Sequence, residues 1–168
     1  KRLKRPVKWV ADRSESFLSD EHARDIEIDA ALGLDRRGNF TALRVSYRVN
    51  VGAYLSGRSA SPICNFGGIA GVYRTPKILG EVTGFFTNTQ PTAPYRGAGR
   101  PDATYAIERL IDVAAQEMKI DPFELRKRNL IPPEAMPYQT PFVFNYDCGD
   151  FAKGMDKAAE LAGYHSFR

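Results

Sequence analysis

Between Asp25 and Tyr54 the chain changes residue class at every second position. In DIEIDAALGL the apolar Ile26 and Ile28 alternate with Glu27 and Asp29, and after the turn sequence DRRGN the stretch FTALRVSYRVNVGAY places Leu43, Val45, Tyr47 and Val49 on one side. A period of two sends alternate side chains to opposite faces of an extended strand, so this region predicts a long hairpin with one apolar face. Two strands cannot shield such a face alone. The rest of the chain must supply a covering layer.

The period then changes to that of a helix. From Asp102 onward, Ala103, Ala106, Ile107, Leu110, Ile111, Ala114, Ala115 and Met118 recur at three- and four-residue spacing, with Glu108, Arg109, Asp112, Gln116 and Glu117 on the other face. Pro101 suits the helix entry. A second helix is predicted at DPFELRKRN, with Asp121 as N-cap, Pro122 at the first helical position and Glu124 three residues after the cap. Four prolines in IPPEAMPYQTP mark an irregular connector. A third helix is predicted from Asp150, its N-cap, to about Leu161, with Phe151, Met155, Ala158, Ala159 and Ala162 facing inward. ILGEVTGFFTN, residues 78–88, reads as a further strand in which Gly80 and Gly84 mark a bulge or a close approach. The segment from Ser56 to Tyr73 has no period and reads as a loop with a short helix. The fold class expected is α+β: a strand-rich part over 1–90, a loop over 91–101 and a helical part over 102–168, in one domain.

Composition narrows the function classes. A chain of 168 residues with 43% hydrophobic and 26% charged residues can bury a core and is not of disordered type. No apolar run approaches the roughly 20 residues of a membrane-spanning helix, and no signal-peptide core follows the basic start. The chain has no initiator Met, from which an internal segment of a longer protein is expected. The net charge of +4 is concentrated at Lys1, Arg2, Lys4, Arg5 and Lys8. Short runs of this kind are usually solvated surface, so nucleic acid is not the expected partner. Two cysteines, Cys64 and Cys148, are too few for a metal cluster, and a reducing, cytoplasmic setting is the default.

The most unusual stretch is PTAPYRGAGRPDATYAIERL, residues 91–110. A Gly-rich loop feeding a helix offers backbone N–H groups to an anion. The dinucleotide fingerprint does not fit, because its third glycine would fall at Asp102, where an acid repels a pyrophosphate. What remains is Arg96 between Tyr95 and Gly97, with bare backbone beside it that permits close approach of a ligand.

In sequence, PTAPYRGAGRPDATYAIERLIDVAAQEMKIDPFELRKRNLI resembles the molybdenum-cofactor-binding region of large subunits of the xanthine dehydrogenase, aldehyde oxidase and carbon monoxide dehydrogenase family. RPVKWVADRSESFL, NVGAYLS and YDCGDF support the resemblance in chain order. It implies that Tyr95, Arg96, Gly97, Ala98, Gly99 and Arg100 line molybdopterin, in its cytosine dinucleotide form, with Arg96 as the residue acting in catalysis through its charge. It implies hydroxylation of a small molecule with water as oxygen donor, and partner subunits carrying 2Fe–2S clusters (the small subunit) and FAD (the medium one). Purine-oxidising relatives have Phe where this loop has Ala98, and copper-containing carbon monoxide dehydrogenases have Cys where it has Gly97. The Arg-Gly-Ala-Gly-Arg form is similar to the second class of carbon monoxide dehydrogenase-like subunits, for which aldehydes or N-heterocycles are expected. The family's upstream Gly-rich segment with its Gln and its downstream catalytic Glu have no counterpart in these residues, so the isolated fragment is expected to be inactive.

Plainer readings stand beside these. Arg96 can cap a helix or pair with Glu108, and Arg100 can simply reach solvent. Cys64 reads as a small buried thiol, Cys148 as part of a turn, and His22 and His165 as surface residues without metal-ligand spacing. Phe85 and Phe86 read as packing residues. The alternative to the enzyme reading is a non-catalytic binding or assembly module whose basic N-terminus meets an acidic partner or nucleic acid.

Overall fold

The hairpin forms as β1 (Ile26–Leu34) and β2 (Phe40–Gly52), antiparallel, with Ile28 opposite Tyr47 and Leu32 opposite Leu43. This is a computed structural model that describes residues 2–59 and 65–167. The turn is held by the Asp35 carboxylate, which accepts from the Arg37 and Asn39 N–H groups and the Asn39 side-chain amide at 2.8–2.9 Å. Those bonds, the Asn39 amide first, hold the Asp35 carboxyl below its ordinary range. Leu43, Val45, Tyr47 and Val49 are buried, as the period of two predicts. On the opposite face Arg48 meets Glu27 at 2.8 Å and Arg44 meets Asp29 at 3.6 Å, ordinary exposed pairs.

The third strand, β3 (Ile78–Phe86), pairs with β2 in parallel, giving the order β1-β2-β3. A parallel partner needs a long crossover, here residues 53–77, which include a 3₁₀ turn at Phe66–Ala70. Gly80 lets the Phe66 ring approach: a Cβ there would lie 2.3 Å from a Phe66 ring carbon. Of the aromatic pair, Phe86 is exposed and Phe85 is 48% exposed, so both belong to the outer surface.

The covering layer is α2 (Arg100–Met118), whose Ala103, Ala106, Ile107, Ile111, Ala114 and Ala115 are buried against the sheet. A short α1 (Arg13–Ser19), not expected from the apolar pattern, precedes β1 and buries none of its residues. Its signal is a capping box, Asp12 and Glu15 exchanging bonds with each other's backbone N–H. After α2, the Asp121 carboxylate caps α3 (Pro122–Asn129) through the Phe123 and Glu124 N–H groups. The proline connector is not wholly irregular, because β4 (Tyr138–Gln139) pairs with β5 (Asn145–Tyr146) within and just after it. Asp150 caps α4 (Phe151–Leu161), and α5 (Tyr164–Phe167) follows.

Two burial expectations are corrected. Ala158 and Ala162 are exposed, because α4 touches the rest of the chain along Phe151, Ala152, Met155 and Ala159 instead. Glu108 is not a solvent residue of α2: Arg126 of α3 donates to it at 2.7 Å and Tyr73 at 2.8 Å. Arg126 also binds Asp112 at 2.9 Å, so this cluster ties α2 to α3. Burial, with Glu108 alongside, pushes the Tyr73 phenol well above its usual range. Asn129, buried, accepts from Phe40 N–H and donates to the Gly38 and Leu125 carbonyls at 2.8–2.9 Å, joining the end of α3 to the hairpin turn. The mixed sheet followed by helices is the α+β class expected.

Candidate functional site

One end of the sheet carries the loop. At the end of β2, Asn50 acts as a polar hub: its amide donates to the Asp25 carboxylate at 2.7 Å and to Thr89 Oγ1 at 2.9 Å. Its side-chain oxygen accepts from Gly52 N–H and from Thr87 Oγ1, and its carbonyl accepts from Thr92 Oγ1 at 2.7 Å. Gly52, at φ +79°, turns the chain so tightly against Gln90 and Pro91 that no Cβ fits. On the other side His22 N–H donates to Pro91 O, and Ala93 N–H to His22 O, a short parallel bridge. The base of the loop is therefore held by β2 and by residues 22–25.

Beyond that base, Ala98 N–H donates to Tyr95 O at 2.8 Å and Arg100 N–H to Gly97 O at 3.0 Å, two successive turns. Gly97, Ala98 and Gly99 all have positive φ, at 91°, 45° and 90°. A Cβ on Gly97 would meet the Pro101 ring at 2.7 Å, so glycine is required there twice over. Gly99 is the N-cap, and α2 begins at Arg100 rather than at Asp102. The helix entry thus includes Arg100 and Pro101, which the sequence reading assigns to the loop. Asp102 lies in the first turn beside the buried Tyr47 hydroxyl; burial first, and Asp102 second, push that phenol above its usual range.

Of the residues expected to form the site, Tyr95, Arg96, Gly97, Ala98, Gly99 and Arg100 are brought together by these turns. Tyr95, Arg96, Gly97 and Arg100 are exposed, Ala98 is half-buried and Gly99 buried. Among the described residues, neither the Arg96 nor the Arg100 guanidinium pairs with a carboxylate, and Arg96 neither caps a helix nor meets Glu108, which Arg126 already holds. The N–H groups of Arg96, Gly97 and Gly99 have no backbone acceptor among the described residues. Successive N–H groups in left-handed turns, with unpaired guanidinium groups beside them, suit anionic oxygen atoms. Beneath the loop, the space between Arg24, Asn50, Thr92, Ala98 and Asp102 is about 10 Å³, room for about one water and no substrate.

The sequence reading missed Arg24, Asn50 and Asn65. Arg24 Nη2 donates to the carbonyls of Tyr95 (3.4 Å) and Arg96, with its guanidinium 5.2 Å from the centre of the Tyr95 ring. Asn65 donates to Ala98 O. None of the three has a periodic or spacing signal. His22 and His165 are exposed, as expected, and His165 packs on Phe123 and Tyr164. Cys148 is a free, exposed thiol in the segment before α4, pushed up by the neighbouring Asp147. Cys64 lies outside the described residues.

Residues 1–130, a span that includes the whole loop, match the molybdopterin cofactor-binding domain. The chain belongs to that family. Over 170 residues the chain is 36% identical to the carbon monoxide dehydrogenase large chain of Hydrogenophaga pseudoflava, covering 99% of this chain and 21% of that one. It is 33% identical to the nicotine 6-hydroxylase large subunit of Paenarthrobacter nicotinovorans, again over 99% of this chain and 21% of the other. The crystal structure of quinoline 2-oxidoreductase from Pseudomonas putida 86 superposes with a TM-score of 0.89 at 33% identity, over 99% of this chain and 22% of that one. This molybdopterin-binding domain therefore spans about a fifth of the length of these relatives.

Proposed function

We propose that this chain is the loop-bearing part of the large subunit of a molybdenum hydroxylase, which oxidises aldehydes or N-heterocycles with water as the oxygen donor. Residues 1–168 act as one unit in this reading. Tyr95, Arg96, Gly97, Ala98, Gly99 and Arg100 face molybdopterin in its cytosine dinucleotide form, and Arg96 is the catalytic residue among them. The observation that carries the reading is the loop itself: three N–H groups without a backbone acceptor and two arginines without carboxylate partners among the described residues, in a chain of the molybdopterin-binding family. The donor set fits oxygen atoms of an anionic cofactor, and a positive charge there stabilises negative charge that develops on oxygen during reaction. The cofactor, when bound, supplies the redox chemistry; these residues bind and orient it.

Substrate class follows from the loop's small side chains. Ala98 offers no aromatic platform for a purine and Gly97 no thiolate for copper, whereas relatives named for nicotine and quinoline share a third of this sequence. Iron–sulfur and flavin subunits complete the parent complex, in the cytoplasm, and the 168 residues alone are inactive. In water enriched with ¹⁸O, the full-length protein with its partner subunits is expected to place the label in the oxidised product of an aldehyde or N-heterocycle. Product carrying oxygen from O₂ instead would contradict the proposal.

A further inference from the structure

We propose that Arg24 is the positioning residue that sets the ligand-facing conformation of the 95–100 loop, an inference that rests on the reading of this loop as the cofactor contact. A trans peptide is planar, and its N–H points opposite its carbonyl. With the Tyr95 and Arg96 carbonyls drawn toward the Arg24 guanidinium, the N–H groups of Arg96 and Gly97 are sent to the other side. Asn65 acts in the same way at the Ala98 carbonyl, since its bond to Ala98 O points the Gly99 N–H away from Asn65. The remaining carbonyl, that of Gly97, is used by Arg100 N–H. Every carbonyl from Tyr95 to Ala98 is thereby bonded within the chain, which leaves the N–H groups of Arg96, Gly97 and Gly99 as the loop's backbone groups open to a ligand.

Arg24 is exposed, and an exposed arginine contact is ordinarily worth little. Three features set this one apart. Through one nitrogen, Nη2, the guanidinium reaches two successive carbonyls while its central carbon lies 5.2 Å from the centre of the Tyr95 ring, so a single side chain bears on two peptides and a ring of the loop. Its backbone is fixed on both sides, by the His22 bridge to Pro91 and Ala93 and by Asp25, whose carbonyl and carboxylate both accept from Asn50. Arg24 itself has φ +59°, a conformation that non-glycine residues hold where their surroundings impose it. The residue also brings a third guanidinium to a loop that already carries Arg96 and Arg100.

The test uses the full-length parent protein assembled with its partner subunits. Arg24→Ala is expected to raise amide hydrogen exchange at Ala98 and Arg100, the two amides bonded inside the loop, at least tenfold. It is expected to lower kcat by about tenfold or more with KM changed less than threefold, because misplacement of the donors affects the transition state most. Arg24→Gln, which keeps a polar side chain but is too short to reach the Tyr95 and Arg96 carbonyls as Nη2 does, serves if the alanine variant fails to assemble and is expected to show the faster exchange too. Exchange at Ala98 and Arg100 within twofold of wild type in whichever variant assembles overturns the proposal. Exchange is read without the cofactor, so it judges Arg24 even if the wild-type parent holds no molybdopterin, a result that would sink the functional reading separately.

Discussion

Replacing Gly52 by alanine is expected to destabilise the 168-residue chain by about 3–5 kcal/mol, combining a forced left-handed backbone with overpacking. At φ +79° an alanine is strained by itself, and its Cβ would lie 2.3 Å from Gln90 O and 2.5 Å from Pro91 Cα. Both obstacles are backbone atoms, so no rotamer change relieves them. Nor can the turn move freely. Gly52 N–H is bonded to Asn50, Gly52 O accepts from Thr87 N–H, and Ala53 N–H donates to Thr89 O. Gly57→Ala is the matched control, because a Cβ there meets nothing within 4 Å, and its effect should stay within about 0.5 kcal/mol. Denaturant unfolding of both variants checks the difference; a Gly52→Ala midpoint indistinguishable from that of Gly57→Ala would mean that the turn beneath the loop is not held as described.

Arg96→Ala is expected to act in the opposite way, leaving the fold alone and removing activity. Its side chain is exposed and joins no ion pair among the described residues, so stability should change by no more than about 0.5 kcal/mol. In the full-length parent, loss of one preorganised donor beside developing negative charge should reduce kcat by about 10²–10³-fold. Steady-state kinetics at matched molybdenum content checks this, with Arg96→Lys expected to recover part of the rate by restoring charge without the planar fork. A variant that keeps more than half the wild-type kcat removes Arg96 from the catalytic role. Arg126 shows how a structural arginine differs here: it is largely buried and bonded to Glu108 and Asp112, and its removal should unfold the α2–α3 contact.

The features legible in the sequence are those written in periodic patterns and caps. The hairpin, α2, and the Asp121 and Asp150 caps each rest on residues a few positions apart, and local spacing determines them. The parallel pairing of β3 with β2 was not legible, because alternation along one strand does not say which way its neighbour runs. Glu108 was misplaced on a solvent face for a similar reason: a helical wheel sees α2 alone, whereas Arg126 arrives from the next helix. The loop was visible through its glycines, and the positive φ values of Gly97 and Gly99 account for them. Its supports were not visible. Arg24 reaches carbonyls 71 and 72 positions away, and Asn65 one 33 positions away, contacts for which a single sequence has no spacing rule. The capping box of α1, by contrast, is written plainly as Asp12 and Glu15, a signal present in the sequence and not used.

The central claim is that the 95–100 loop faces a molybdenum-bearing pterin in the parent protein. Metal analysis and pterin nucleotide release on the full-length protein, purified with its partner subunits, test it most directly. The account predicts about one molybdenum and one cytosine-containing pterin dinucleotide per large subunit, as the single-site family reading requires. A folded, fully assembled parent containing neither would contradict it.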